Sequence, residues 1–152
     1  MQMEDYENAS SARRADVETL LHGEAPRAIA AVHLGGVSVE CKLKSLVAKY
    51  HNIASWDENS RRKKDPKLGQ PIPRPGHGLI AAIRLMDTVY RKAKSDPMLL
   101  KHLSRVMYPS GATSRDFIDL RYVATELDKN SLADWQQSFH YVLNWLAKNE
   151  AN

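Results

Sequence analysis

Ile29, Val32, Gly36, Val39, Leu43, Leu46 and Tyr50 recur at steps of three and four without interruption. That spacing puts side chains on one face of an α-helix. It predicts a helix over about 25–50 packed against other helices, with Pro26 in its first turn. Two adjacent glycines, Gly35 and Gly36, stand in the middle. Each interior glycine costs a helix about 1 kcal/mol relative to alanine. Their presence therefore predicts a compensating close approach, most simply by the backbone of another helix. The stretch is not wholly apolar. His33 and Glu40 are seven apart and share a face, and Lys44 follows Glu40 by four, the favourable order for a helical ion pair. These three are expected to border the core as a polar stripe. They are also candidates for a ligand or partner groove in which His33 and Glu40 do binding or acid–base work.

Similar periodicity appears on both sides. Val17, Leu20 and Leu21 suggest a first helix over roughly 5–22, closed by His22 and Gly23. Leu79, Ile83, Met86, Tyr90 and Ala93 suggest a third helix starting near Gly78, which the Ser95-Asp96-Pro97 sequence ends. Leu99, Leu100, Leu103 and Val106 mark a fourth. Thr113 and Asp116 have capping-box spacing before a short helical segment, DFIDLRYVATEL. Ser131 and Asp134 repeat the spacing before a last helix over about 131–148, with Leu132, Trp135, Phe139, Val142 and Leu146 on its apolar face. No strand pattern and no internal repeat is found. The fold class that follows is all-α: an antiparallel up-and-down bundle of about five helices, forming one domain over 1–152. The exception is 51–76, which has no period, carries four prolines and reads as a long, partly mobile loop.

Composition narrows the function classes. With 43% hydrophobic and 26% charged residues among 152, the chain suits an ordinary globular domain. One cysteine, Cys41, cannot form an internal disulfide, and no apolar run reaches the length of a membrane span. The N-terminus lacks the apolar core of a signal peptide, so a cytoplasmic protein is expected. The six histidines are scattered without ligand spacing, so neither a metal site nor a cofactor is expected. No phosphate-binding glycine loop occurs. A net charge of +4 is compatible with an acidic partner. The basic run Arg61, Arg62, Lys63 and Lys64 in the loop is the candidate nucleic-acid contact, and it would make binding salt-dependent.

Three stretches in order resemble one family. Ala31 to Lys44, reading AVHLGGVSVECKLK, resembles the second helix of HEPN domains. GHGLIAAIRLM (76–86) resembles the helix start that follows that family's variable loop, and DLRY (119–122) resembles a stretch near its end. The resemblance implies a compact helical bundle, often a homodimer, of the kind found in prokaryotic toxin–antitoxin and defence systems beside a nucleotidyltransferase-like partner. Many such proteins are metal-independent ribonucleases using an arginine followed, after four to six intervening residues, by a histidine. Others lack that motif and bind nucleotide, RNA or protein.

Cleavage of that kind needs an arginine to hold phosphate and an imidazole to move protons. Arg121 is the positional match, but no histidine stands among the seven residues after it. Glu126 could supply the missing acid–base group, and His77 opens the third helix. Arg121, Glu126 and His77 are therefore the catalytic candidates, with Arg121 and Tyr122 also expected to brace the bundle or join the groove. Arg27 has His33 after five intervening residues. Two helical residues six apart differ by about 240° around the axis, so the pair is expected to be accidental unless the helix starts between them. The expectation is a HEPN-like binding module acting with a second copy, a cognate protein, RNA or nucleotide. A divergent endoribonuclease and a purely structural interaction module are the alternatives.

Overall fold

The computed structural model describes residues 5–22, 27–53, 56, 72–123 and 126–150. Among these residues six α-helices follow one another: α1 Tyr6–Leu21, α2 Ala28–Tyr50, α3 Leu79–Arg84, α4 Asp87–Lys94, α5 Pro97–Met107 and α6 Lys129–Asn149. A short 3-10 helix, Asp119–Tyr122, precedes α6, and no strand occurs among the described residues. The fold is the all-α bundle that the periodicity predicts. Among the described residues no helix is long and apolar enough to cross a membrane.

Side-chain contacts fix the directions. Glu7 near the start of α1 pairs with Lys49 near the end of α2 at 3.0 Å, and the Arg27 N–H donates to the Leu20 carbonyl at the other end. These two helices are antiparallel. At the start of α5, the Asp96 carboxylate accepts from Trp145 Nε1 near the end of α6 at 3.0 Å. Further along, His102 meets Ser138, so α5 and α6 are antiparallel too.

Local signals account for most boundaries. Asp5, Asp96 and Asp128 cap α1, α5 and α6, each accepting the backbone N–H three residues on. The α6 cap is thus Asp128 and not the expected Ser131. Ser131 donates to the Asp128 carboxylate through both N–H and hydroxyl, which lowers the carboxyl's pKa. The expected third helix is two. Leu85 and Met86 close 3-10-like hydrogen bonds to Ala82 and Ile83, and Met86 is extended (φ −117°, ψ 92°) before α4 restarts. Among the described residues after Thr113 only the 3-10 turn forms before α6, where the Asp116 carboxylate takes the N–H groups of Ile118 and Asp119. α2 begins at Ala28, later than the pattern suggests. Pro26 and the basic run Arg61 to Lys64 lie outside the described residues.

α2 is the centre of the bundle and touches α1, α3, α5, α6 and the 3-10 helix. Its glycines do receive a close neighbour, but an aromatic one. A Cβ on Gly35 would overlap the outer edge of the Trp135 indole, and one on Gly36 would overlap the Phe117 ring and lie 2.7 Å from Phe117 Cβ. Both aromatic side chains are fully buried. The expected approach of a helix backbone is therefore corrected to insertion of two rings. The tight backbone crossing occurs elsewhere. On α1 and α2, the Ser10 hydroxyl donates to the Ser38 carbonyl at 2.7 Å and the Ser38 hydroxyl to the Ser10 carbonyl at 2.8 Å. This reciprocal pair satisfies both hydroxyls inside the core.

Candidate functional site

The start of α2, the 3-10 helix and residues Val123 and Glu126 beyond it meet at an open cleft of about 450 Å³. Arg27, His33, Arg121 and Glu126 line it over an apolar floor of Ile29, Ala30, Leu120 and Val123. Each polar group is placed by a separate constraint. Arg27 is the N-cap of α2, with non-helical φ −102° and ψ 76°. The helix therefore starts between Arg27 and His33, which is the one condition under which the two can share a face. Both residues line the cleft.

His33 Nδ1 stands 2.8 Å from the Phe117 carbonyl. A carbonyl only accepts, so Nδ1 carries the hydrogen and Nε2 is the nitrogen left for a ligand or proton. Phe117 is in turn fixed by its N–H donating to the Met107 carbonyl at 3.0 Å and by its ring under Gly36. The glycines thus reach the site: the ring that needs Gly36 belongs to the residue that orients His33.

Glu126 is exposed, as a solvated carboxylate would be, but it lies outside any helix and one of its oxygens is engaged. Its Oε2 accepts the Ile29 N–H at 3.0 Å, satisfying one of the unpaired donors in the first turn of α2. As the only acid among the lining residues, it leaves two guanidinium groups in net excess of one. Arg121 and Tyr122 sit together on the 3-10 helix. Leu120 buries between them and the core, while the Arg121 guanidinium lies 4.8 Å from the Tyr122 ring centroid. Tyr122 is 78% exposed. The expectation that its ring braces the bundle from within is corrected.

The other groove candidates assemble apart from the cleft. Glu40 and Lys44 are buried at 6% and 8% exposure and pair at 3.0 Å. The second oxygen of Glu40 makes a short contact with His77 Nδ1, which ties the segment before α3 to α2. The His77 ring also stands edge-on to Phe117 at 6.3 Å. A buried carboxylate shared between an ammonium and an imidazole nitrogen is a structural brace. Next to it, burial and the Glu40 charge raise the Cys41 thiol above its ordinary pKa, which keeps it protonated and unreactive.

Two further clusters are less suited to chemistry. The pair His102–Ser138, 2.8 Å apart, is sealed in the core, with Arg105 donating to Ser138 Oγ at 3.1 Å. A second cleft of about 400 Å³ is lined by Lys101, Arg105, Tyr108, Ser131 and Asp134 among others, but its Arg105 is engaged by Ser138. Among the described residues, no three His, Cys, Asp or Glu side chains cluster closely enough to hold a metal ion.

Comparison of the chain with family models, with curated proteins and with solved structures finds no match. The geometry of the cleft therefore stands on its own.

Proposed function

We propose that the chain binds a phosphate-bearing ligand, RNA or a nucleotide, in the cleft between Arg27, His33 and Arg121. The observation that carries this is the convergence of two guanidinium groups and an imidazole from distant parts of the chain on one open cavity whose acid is already engaged. Guanidinium forks match phosphate oxygens bidentately, and an imidazole with one nitrogen already donating can add a third contact. The HEPN resemblance points the same way, and with it a second copy of the chain or a nucleotidyltransferase-like protein as partner.

One feature favours a second reading, metal-independent cleavage of RNA. His33 has its tautomer set by the Phe117 carbonyl, which is what an imidazole needs to act as a base through Nε2. Arg27 and Arg121 would then neutralise charge at the phosphate.

Fluorescence anisotropy with labelled single-stranded RNA tests the first reading. Arg27→Gln and Arg121→Gln are each expected to weaken binding and flatten its salt dependence. Binding that ignores both substitutions but disappears when Arg61 to Lys64 are neutralised would move the interface to the loop and defeat the proposal. The second reading is tested by incubating the protein with an RNA pool in EDTA. His33→Asn, which can still donate to the Phe117 carbonyl, is expected to abolish cleavage while retaining binding.

A further inference from the structure

We infer that the ligand of this cleft carries a nucleobase, and that the base stacks on the open face of Tyr122. The inference rests on the cleft being the phosphate site, and adds the part of the ligand that the cleft does not hold. Tyr122 is the most exposed of the large apolar side chains described, at 78%. Its backbone belongs to the 3-10 turn Asp119–Tyr122. The neighbouring Leu120 is buried, the Val123 N–H donates to the Leu120 carbonyl at 3.0 Å, and the Arg121 N–H to Ile118 at 3.3 Å.

One face of the ring is taken by the Arg121 guanidinium, 4.8 Å from its centroid. Arg121 also lines the cleft, so one side chain joins the cationic cavity to the aromatic surface. A ring held by a cation on one face and open to water on the other is a stacking platform. The pairing of an aromatic plane with clustered guanidinium groups complements a base with its phosphate. It does not complement a bare phosphate or a sugar phosphate, which would leave the ring unused. The base can come from a free nucleotide or from single-stranded RNA.

Calorimetry with four probes separates the possibilities: inorganic pyrophosphate, AMP, a short single-stranded oligoribonucleotide, and the same oligomer with abasic sites. Tyr122→Ala is expected to weaken the base-bearing probes about ten-fold or more, the value of one base on one aromatic ring. It should leave pyrophosphate and the abasic oligomer unchanged, and Tyr122→Trp should restore the loss. The exposure of Tyr122 makes these substitutions safe for the fold. A Tyr122-dependent affinity for AMP equal to that for the oligomer identifies a free nucleotide as the source, and dependence confined to the oligomer identifies RNA. If Tyr122→Ala binds AMP and the oligomer as well as the parent does, while Arg121→Gln still weakens pyrophosphate, the stacking inference is overturned and the phosphate cleft survives. If Arg27→Gln and Arg121→Gln leave every probe unaffected, or no probe binds, both are overturned.

Discussion

Replacing the two glycines of α2 one at a time tests the packing on which the site depends. Helix propensity alone predicts that Gly35→Ala and Gly36→Ala each stabilise the protein by about 1 kcal/mol. The structure opposes this, and unequally. At Gly36 the new methyl meets not only the Phe117 ring but Phe117 Cβ, 2.7 Å away. That atom is bonded to a backbone held on both sides, by Met107 through the N–H and by His33 through the carbonyl. Relief requires the backbone to move, so the overpacking cost falls near the upper end of its usual range, about 3 kcal/mol. Subtracting the propensity gain leaves a net loss of about 2 kcal/mol, or roughly 4–8 °C in Tm for a domain of this size. At Gly35 the methyl meets the outer edge of the Trp135 indole, far from its backbone, and a tilt of the ring relieves part of the overlap. The net loss there is about 1 kcal/mol or less. Urea titrations followed by circular dichroism, with coincident fluorescence transitions as the two-state check, give both values. Gly36→Ala should also weaken ligand binding, because Phe117 orients His33. Equal effects at the two glycines, or a gain of stability at both, would refute the reasoning.

Three other outcomes follow from buried polar groups. Glu40→Gln leaves the Lys44 ammonium without its counter-charge inside the bundle and should cost about 3 kcal/mol in urea unfolding, whereas Glu40→Gln combined with Lys44→Met should recover most of it. Glu126→Ala removes the acceptor for the Ile29 N–H and should destabilise by about 1 kcal/mol, with the earliest loss of amide-exchange protection in the first turn of α2. His102 is 4% exposed, and burial, aided by Arg105 and Lys101, lowers its pKa. Its unfolded form therefore takes a proton first, so stability should fall as the pH drops below about 6.5, with the fall ending below the depressed folded pKa. Urea midpoints at pH 7.5 and 5.5 should converge in His102→Gln, and an unchanged pH dependence in that variant would assign the effect elsewhere.

The sequence reports the fold where side chains face a core, and is silent where backbone hydrogen bonds decide. The seam from Ile29 to Leu46 is legible because each step of three or four corresponds to a buried contact. The break between α3 and α4 is invisible because Met86 is buried although its backbone is extended, so the apolar period runs through the interruption. DFIDLRYVATEL reads as helix because its apolar spacing is right, yet Asp116 diverts the first N–H groups. The same limit governed the site. Arg27 and His33 have a recognisable spacing, but whether they share a cleft turns on a helix start only two or three residues from where Pro26 suggests it. Glu126 is recognisable as a candidate and unrecognisable as a cap, since its partner Ile29 is 97 residues away in the chain.

That separation has a bearing on synthesis. Residues 27 to 33 leave the ribosome early, whereas Arg121 and Glu126 emerge only after most of the bundle has been made. A growing chain still short of Arg121 has one wall of the cleft and neither its second arginine nor its clamp. If the cleft takes the proposed ligand, an unfinished chain lacks half of the groups that would hold it.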